Sequence, residues 1–110
     1  MSDCIFCKIA EKKVPAAVVR ESDRVIVIKD ISPQSPTHLL VIPKKHYSSL
    51  MDCEDKELLG ELLQTARELA TELGLSERGF RTVINTNSEG GQTVFHLHMH
   101  FMAGRALAGK

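Results

Sequence analysis

Residues 93–102 read T-V-F-H-L-H-M-H-F-M, and three histidines alternate there with large apolar side chains. This period of two predicts a β-strand, because successive side chains of a strand point to opposite faces. One face is expected to carry three imidazoles, those of His96, His98 and His100. The other face is expected to carry Phe95, Leu97, Met99 and Phe101 and to pack into the core.

The three histidines are open to more than one interpretation. A histidine within a strand is usually an ordinary structural residue, but three in register indicate a functional site. One interpretation is a nucleophile with its acid–base partners, since imidazole titrates near neutral pH. The other is an open, catalytic metal site held by three histidines. The local sequence fits both.

Composition narrows the class of protein. The 110 residues predict a single domain spanning 1–110, and the 14 Lys and Arg residues balance the 14 Asp and Glu residues. Without a basic excess we expect no nucleic-acid partner. No apolar run is long enough to span a bilayer, and the segment from Met1 lacks the features of a signal peptide. We therefore expect a cytoplasmic protein without a membrane partner, whose three cysteines are thiols or metal ligands.

The remaining periodicities indicate how the sheet is built. Four further strands are predicted at 17–20, 24–30, 37–42 and 80–87, and the short connection after residue 20 predicts a hairpin. A short helix is expected to end before Pro15. Residues 103–110 are expected to form a short, loose tail.

One long helix is predicted over residues 52–73. Asp52 is the expected N-cap, Asp55 lies in the first turn, and Gly74 is placed at the C-terminal end. An apolar stripe recurs with the helical period at Leu58, Leu59, Leu62, Leu63, Ala66, Leu69, Ala70 and Leu73. The chain is therefore expected to be an α+β domain, with an antiparallel sheet of about five strands, one long helix and a short N-terminal helix. The long helix should cover the apolar face of the histidine strand and leave the imidazole face open.

Two smaller motifs are ambiguous from the residues alone. Cys4 and Cys7 form a C-x-x-C pair, which is typical of half a zinc site or of a redox pair. Gly90-Gly91 could present backbone amides to an anion or could form an ordinary hairpin turn. Cys53 has no ligand at a suitable spacing and is interpreted as a bystander thiol.

Several of these motifs together resemble one family. H-L-H-M-H-F-M matches the histidine triad signature, in which three histidines alternate with apolar residues. The blocks D-I-S-P (30–33), P-T-H (36–38), V-I-P-K-K-H (41–46) and G-G-Q-T (90–93) resemble the same family in the same order. The chain is similar to the histidine triad (HIT) family, and most of all to its bacterial nucleotide-binding branch, which hydrolyses purine nucleoside phosphoramidates.

The resemblance implies a nucleotide hydrolase with the HIT fold. His98 would be the nucleophile that attacks the α-phosphorus and forms a nucleotidyl-histidine intermediate. His100 would contact the phosphate and help to protonate the leaving group, and His38 would support it as a proton relay. Thr93, where many relatives have serine, would contact the leaving atom.

The resemblance also implies a site for a purine nucleotide. Asp30 would accept hydrogen bonds from the ribose hydroxyls. The base pocket would be apolar and formed by Ile5, Phe6, Ile9, Val14, Ile28 and Ile31. The phosphate would be held by His98, His100, Asn85 and the Gly91-Gln92-Thr93 turn, whose backbone N–H groups would face the developing charge.

Finally, the resemblance implies a structural zinc ion, no organic cofactor, and a homodimer. The zinc ligands would be Cys4, Cys7, His46 and His96, a closed four-ligand set. Three alternatives to the phosphoramidase stay open at this point. They are a dinucleoside polyphosphate hydrolase, a nucleotide-binding regulatory protein with incidental turnover, and a zinc-dependent hydrolase that uses the triad as its metal site.

Overall fold

The computed structural model describes residues 3–108, and Met1, Ser2, Gly109 and Lys110 lie outside the described residues. It contains a five-stranded antiparallel sheet with the strand order β1-β2-β3-β5-β4. The strands are β1 (Val18–Glu21), β2 (Val25–Lys29), β3 (Thr37–Pro43), β4 (Arg81–Val83) and β5 (Met99–Ala103). The helices are α1 (Ile5–Ala10) and α2 (Lys56–Glu72), with a short 3-10 helix at Leu50–Asp52. The predicted α+β class and the five antiparallel strands are confirmed.

The histidine strand is shorter than its sequence pattern predicts. Only Met99–Ala103 forms β5, in which His100 pairs with Leu40 of β3. The preceding residues leave the ladder, and the N–H of Leu97 donates to the carbonyl of Tyr47 at 2.7 Å. Because the strand alternation does not extend back to residue 95, the Phe95 side chain is half exposed at 50% and is not part of the core.

The long helix begins later than predicted, and its N-cap is Asp55 instead of Asp52. The Asp55 side chain accepts a hydrogen bond from the N–H of Leu58 at 3.0 Å, which satisfies a donor of the first turn. Asp52 instead ends the 3-10 helix. At the other end Gly74 has a φ of +71° and directly follows the C-cap, as predicted for a glycine that ends a helix.

The sheet is covered on both faces. α2 packs on one face, where Leu97, Met99 and Phe101 join Leu58 and Leu62 in a single cluster, so the predicted contact with the histidine strand is confirmed for these three residues. The helix stripe is narrower than predicted, since Leu63 and Leu73 are exposed. Cys53 is buried in the same cluster as a free thiol, and it belongs to neither group of potential metal ligands found among residues 3–108.

The opposite face is not left open, because α1 packs against part of it. Phe6 and Ile9 of α1 contact a second apolar cluster on β2 and β3. Burial on both faces explains why β2 is a continuous run of Val25, Ile26, Val27 and Ile28 with no polar alternation. Ala103, predicted as the first tail residue, is the last residue of β5 and is buried. Among residues 3–108, no helix is both long enough and apolar enough to cross a bilayer.

Candidate functional site

A cleft of about 300 Å³ lies on the α1 side of the sheet. Twelve residues predicted as nucleotide contacts line it: Ile5, Phe6, Ile9, Ile28, Asp30, Ile31, Asn85, Gly91, Gln92, Thr93, His98 and His100. Val14 does not line the cleft and packs behind it against the second apolar cluster. The structure therefore brings together residues that are up to 95 positions apart in the sequence, from 5 to 100.

Three lining residues were not predicted: Lys29, Leu40 and Val94. For Leu40 a signal was present, because it lies on the same face of β3 as His38, two residues earlier. Lys29 and Val94 each stand next to a predicted residue, but adjacent positions of an extended chain normally point apart. Sequence patterning alone therefore gave no reason to choose them.

The orientation of His98 follows from one hydrogen bond. Its Nδ1–H donates to the backbone carbonyl of His96 at 2.7 Å. In a neutral imidazole this leaves the lone pair on Nε2. The ring of His98 also packs edge-on against the ring of Phe6, with centroids 5.1 Å apart. His98 thus contributes an unprotonated nitrogen on a ring that lines the cleft.

His38 and His100 form a hydrogen-bonded pair beside the cleft. The backbone N–H of Gln34 donates to Nδ1 of His38 at 2.9 Å, so the proton of a neutral His38 is on Nε2. That N–H donates to Nδ1 of His100 at 2.9 Å, which in turn leaves the His100 proton on Nε2. The pair therefore holds His100 as an N–H donor at Nε2, complementary to the lone pair of His98.

Burial keeps His100 neutral. It lowers the pKa of His100, and the neighbouring His98 and His38 lower it further, while the Asp30 carboxylate acts in the opposite direction. Asp30 itself accepts a hydrogen bond from the N–H of Ser32 at 2.7 Å, and its second oxygen lies 3.4 Å from Nε2 of His38. Near pH 7, His100 is therefore held as a neutral imidazole close to the Asp30 carboxylate.

The glycine turn offers fewer free amides than its sequence suggests. The N–H of Gly91 donates to Ser88 and that of Gln92 to Asn87, both at 3.1 Å. The side chain of Gln92 is also used internally, because it donates to the carbonyl of Ser48 at 2.8 Å and accepts from the N–H of Asn87 at 2.8 Å. Of the three amides predicted to face an anion, that of Thr93 has no acceptor among residues 3–108.

A second cluster lies behind the cleft and could hold a metal ion. It consists of the four predicted ligands Cys4, Cys7, His46 and His96, whose donor atoms all lie within 4.8 Å of one another. The distance from Nδ1 of His96 is 3.2 Å to Sγ of Cys4, 3.6 Å to Sγ of Cys7 and 3.2 Å to Nδ1 of His46. A zinc tetrahedron with ordinary bond lengths has edges of about 3.3–3.8 Å, so the donor set fits such an ion.

The surroundings of His96 prepare it as a ligand. Its Nε2 lies 2.7 Å from the carbonyl of Pro43 and donates to it, so the lone pair is on Nδ1, the atom that faces the two sulfurs. Burial lowers the pKa of His96, which keeps the ring neutral. Burial raises the pKa of the Cys7 thiol, and Cys4 raises it further. A bound cation would favour the thiolate form of Cys7.

Asp30, His38 and His100 also lie close enough to share an ion. Their hydrogen bonds argue against it. Nε2 of His38 would have to give up its proton, yet its Nδ1 already accepts from Gln34 and so cannot take that proton without losing this bond. Likewise the three triad histidines do not converge on one ion, because Nδ1 of His96 faces the cysteines. Of the two groups of potential ligands within residues 3–108, the Cys/His cluster is therefore the one that fits a metal ion.

Fold and site together describe a histidine triad domain, and sequence comparison agrees. The HIT domain model matches residues 11–107. The chain belongs to the HIT family, as its motifs predict. The purine nucleoside phosphoramidase of Escherichia coli is 40% identical over 107 residues, which cover 96% of this chain and 90% of that protein.

Solved structures give the same result. A histidine triad protein from Clostridium difficile superposes with a TM-score of 0.96 at 44% identity, over 100% of this chain and 97% of that one. A zinc-bound histidine triad family protein from Mycobacterium smegmatis superposes with a TM-score of 0.82 at 35% identity, over 94% of this chain and 76% of that one.

Proposed function

We propose that this protein cleaves the P–N bond of purine nucleoside 5′-phosphoramidates, compounds in which AMP or GMP is linked to an amine. The observation that carries the proposal is the pair of opposite tautomers in the cleft. His98 has its lone pair on Nε2, and His100 has a proton on Nε2. A nucleophile and a hydrogen-bond donor thus stand side by side, with ring centroids 5.1 Å apart. The similarity to the Escherichia coli phosphoramidase supports the same substrate class.

In the proposed reaction, Nε2 of His98 attacks the α-phosphorus. The P–N bond to the amine breaks, the amine leaves with a proton, and a nucleotidyl-histidine remains. Water then attacks the same phosphorus, which releases AMP or GMP and restores the imidazole. The carbonyl of His96 accepts from Nδ1–H of His98 throughout, so it stabilises the positive charge that develops on the attacking ring.

His100 is the proposed donor to a phosphate oxygen or to the leaving nitrogen. His38 is better suited to orienting His100 than to passing on its own proton, since loss of that proton would leave an imidazolate. Thr93, which is exposed at the rim of the cleft, adds a hydroxyl and the N–H that the turn leaves free.

The cleft also supports the assignment of a mononucleotide. Its volume of about 300 Å³ is at the lower end of the range for small-molecule sites. Phe6 and Ile9 give it apolar walls, which suit a base. Asp30 also lines the cleft, and its carboxylate can accept from ribose hydroxyls.

We further propose that Cys4, Cys7, His46 and His96 bind a structural zinc ion. The tetrahedral spacing of the donors supports this, as does the zinc-bound state of the Mycobacterium smegmatis relative. Zinc would supply a fixed attachment of α1 to the histidine segment and takes no part in the chemistry, since all four positions are filled by protein. Reduced thiols at this site require a reducing compartment, so we place the protein in the cytoplasm. We also propose that it forms a homodimer, as the family resemblance implies.

The test is mass spectrometry of the intact protein after brief mixing with adenosine 5′-phosphoramidate, quenched under conditions that preserve P–N bonds. Wild-type protein should gain the mass of one AMP moiety, and His98→Ala should not. Cys53→Ala is the control. It should still form the adduct, because Cys53 lies in the core cluster under α2 and lines neither the cleft nor the metal cluster.

The alternatives predict different results. A dinucleoside polyphosphate hydrolase would form the adduct far faster with such a dinucleotide than with the phosphoramidate. A regulatory binding protein with incidental turnover would keep its full activity in the cell when His98→Ala abolishes that turnover. Loss of chemistry on chelation from a protein that stays folded would instead favour zinc catalysis and refute the structural role.

A further inference from the structure

α1 connects the metal cluster to the cleft. This helix has six residues, with Cys4 as its N-cap and Cys7 within it. Between them Phe6 lines the cleft and contacts the rings of both His96 and His98, with centroids 5.7 Å and 5.1 Å away. Because a helix of this length has little stability of its own, its position depends on its contacts with the rest of the protein. The cluster supplies two of these contacts through sulfur.

The two sulfurs differ in their access to solvent. An open groove of about 710 Å³ is lined by Cys4 and His46 and reaches the cluster from outside. Cys7 is only 7% exposed and lies behind Cys4, and Cys53 is 5% exposed in the other core. A small oxidant in solution therefore meets Cys4 first. Cys7 is the neighbouring sulfur, and its N–H donates to Sγ of Cys4 at 3.4 Å.

We propose that Cys4 and Cys7 form a peroxide-sensitive switch, in which oxidation to a disulfide expels the metal and releases α1 from the nucleotide cleft. The switch rests on the proposed metal site and nucleotide site. Among the described cysteines only this pair has the C-x-x-C spacing, one sulfur that reaches solvent, and a shared position on α1, the helix whose Phe6 and Ile9 line the cleft.

The chemistry balances with hydrogen peroxide as the oxidant. The Cys4 thiolate attacks one peroxide oxygen, the O–O bond breaks, and Cys4 sulfenic acid and hydroxide form. The Cys7 sulfur then attacks the Cys4 sulfur, the S–O bond breaks, and a disulfide forms as the second oxygen leaves. Two protons from solvent convert both hydroxide ions to water. The two sulfurs together lose two electrons, and the peroxide gains them.

Loss of the metal follows from the ligand chemistry. Cysteine binds zinc as a thiolate, and a disulfide has none. His46 and His96 would remain, two neutral donors where a closed site needs four. The sulfurs lie within 4.8 Å of each other, so the S–S bond can form by rotation of the side chains.

The expected consequence for the cleft is weaker nucleotide binding. If metal and nucleotide both require α1 in its docked position, each must increase the affinity for the other by the same factor. Couplings of this kind typically correspond to about 5- to 150-fold in affinity. We expect the dissociation constant for AMP to rise by a factor in this range on oxidation.

The experiment uses the reduced, zinc-loaded protein, whose zinc content and AMP affinity are measured first. Hydrogen peroxide is then added in stoichiometric amounts. We expect release of zinc to a chromogenic chelator, a peptide that links Cys4 to Cys7, faster amide exchange over residues 5–10, and weaker AMP binding. Dithiothreitol with added zinc should reverse all four changes. Cys53→Ala is the matched control and should respond like the wild type.

Three results would overturn the switch: zinc that stays bound, oxidation of Cys4 to a sulfinic acid without a disulfide, or zinc release with unchanged exchange and AMP affinity. The first measurements separate this failure from that of the proposed function. A reduced protein that takes up no zinc would refute the metal site and the switch together. A reduced protein that holds zinc but binds no AMP would refute the nucleotide site, and with it the proposed effect on the cleft.

Discussion

A single methyl group added at Gly90 should lower the activity strongly while the domain stays folded. A Cβ built at Gly90 would lie 2.4 Å from the backbone oxygen of Thr86 and 2.9 Å from its nitrogen. The first of these distances is about 1 Å shorter than an ordinary van der Waals contact of 3.4 Å. Because the obstacle is backbone, Gly90→Ala must move the turn itself by a distance on the order of 1 Å. This turn lies between Asn85 and Thr93, two residues that line the cleft.

A displacement of about 1 Å near reacting groups can cost on the order of 100-fold in rate. We therefore expect Gly90→Ala to lower kcat/KM for adenosine 5′-phosphoramidate by about 100-fold. Overpacking of this kind typically costs about 1–3 kcal/mol of unfolding free energy. A folded domain should therefore remain, measurable by urea denaturation.

Gly79→Ala is the matched control, because Gly79 does not line the cleft. A Cβ there meets nothing within 4 Å, but the φ of +94° is unfavourable for alanine. The strain should cost about 1–2 kcal/mol, similar to the cost at Gly90, without displacing the turn. We expect its kcat/KM to stay within a few-fold of the wild type. Equal activity in the two variants would refute the argument that the Gly90 contact sets the position of the catalytic turn.

Three further predictions concern stability and metal. Leu62→Ala should lower the unfolding free energy by about 2–5 kcal/mol in urea denaturation, whereas Leu63→Ala on the exposed side should change it by less than about 0.5 kcal/mol. Burial lowers the pKa of His100, so below about pH 6.5 the unfolded chain binds a proton at this residue more readily than the folded chain does. The unfolding free energy should therefore stay at its full value above about pH 6.5 and decrease as the pH falls below it. Urea titrations at several pH values should show that the unfolding free energy of His100→Gln decreases less with falling pH than that of the wild type. An identical decrease in both proteins would contradict this assignment. Chelation of zinc should lower the Tm of wild-type protein but leave that of Cys7→Ser unchanged, and an equal decrease in both would argue against the cluster as the metal site.

Much of the architecture was predictable from local patterns. The 3.6-residue period of α2 and the β-branched run of β2 each indicate their own element within a few residues. The resemblance to the family over the whole chain predicted most of the residues that line the cleft. The errors in the bounds of the helices and strands fell at element ends, whereas the cover of α1 over the second face of the sheet was not predicted. Asp52 and Asp55 are both plausible caps in sequence, and only the packing of the preceding 3-10 helix decides between them.

The sequence by itself thus determined the class of fold, the alternation of β5 and the residue types available for chemistry. Tertiary structure decided which atom of each histidine is available. The lone pair of His98 depends on a carbonyl two residues away, but that of His96 depends on Pro43, 53 residues distant. The partners of the C-x-x-C pair lie 39 and 92 residues away, and so its two interpretations could not be separated from the residues alone. Periodicity is a local property of the chain, whereas the convergence of donors depends on how distant segments pack against one another.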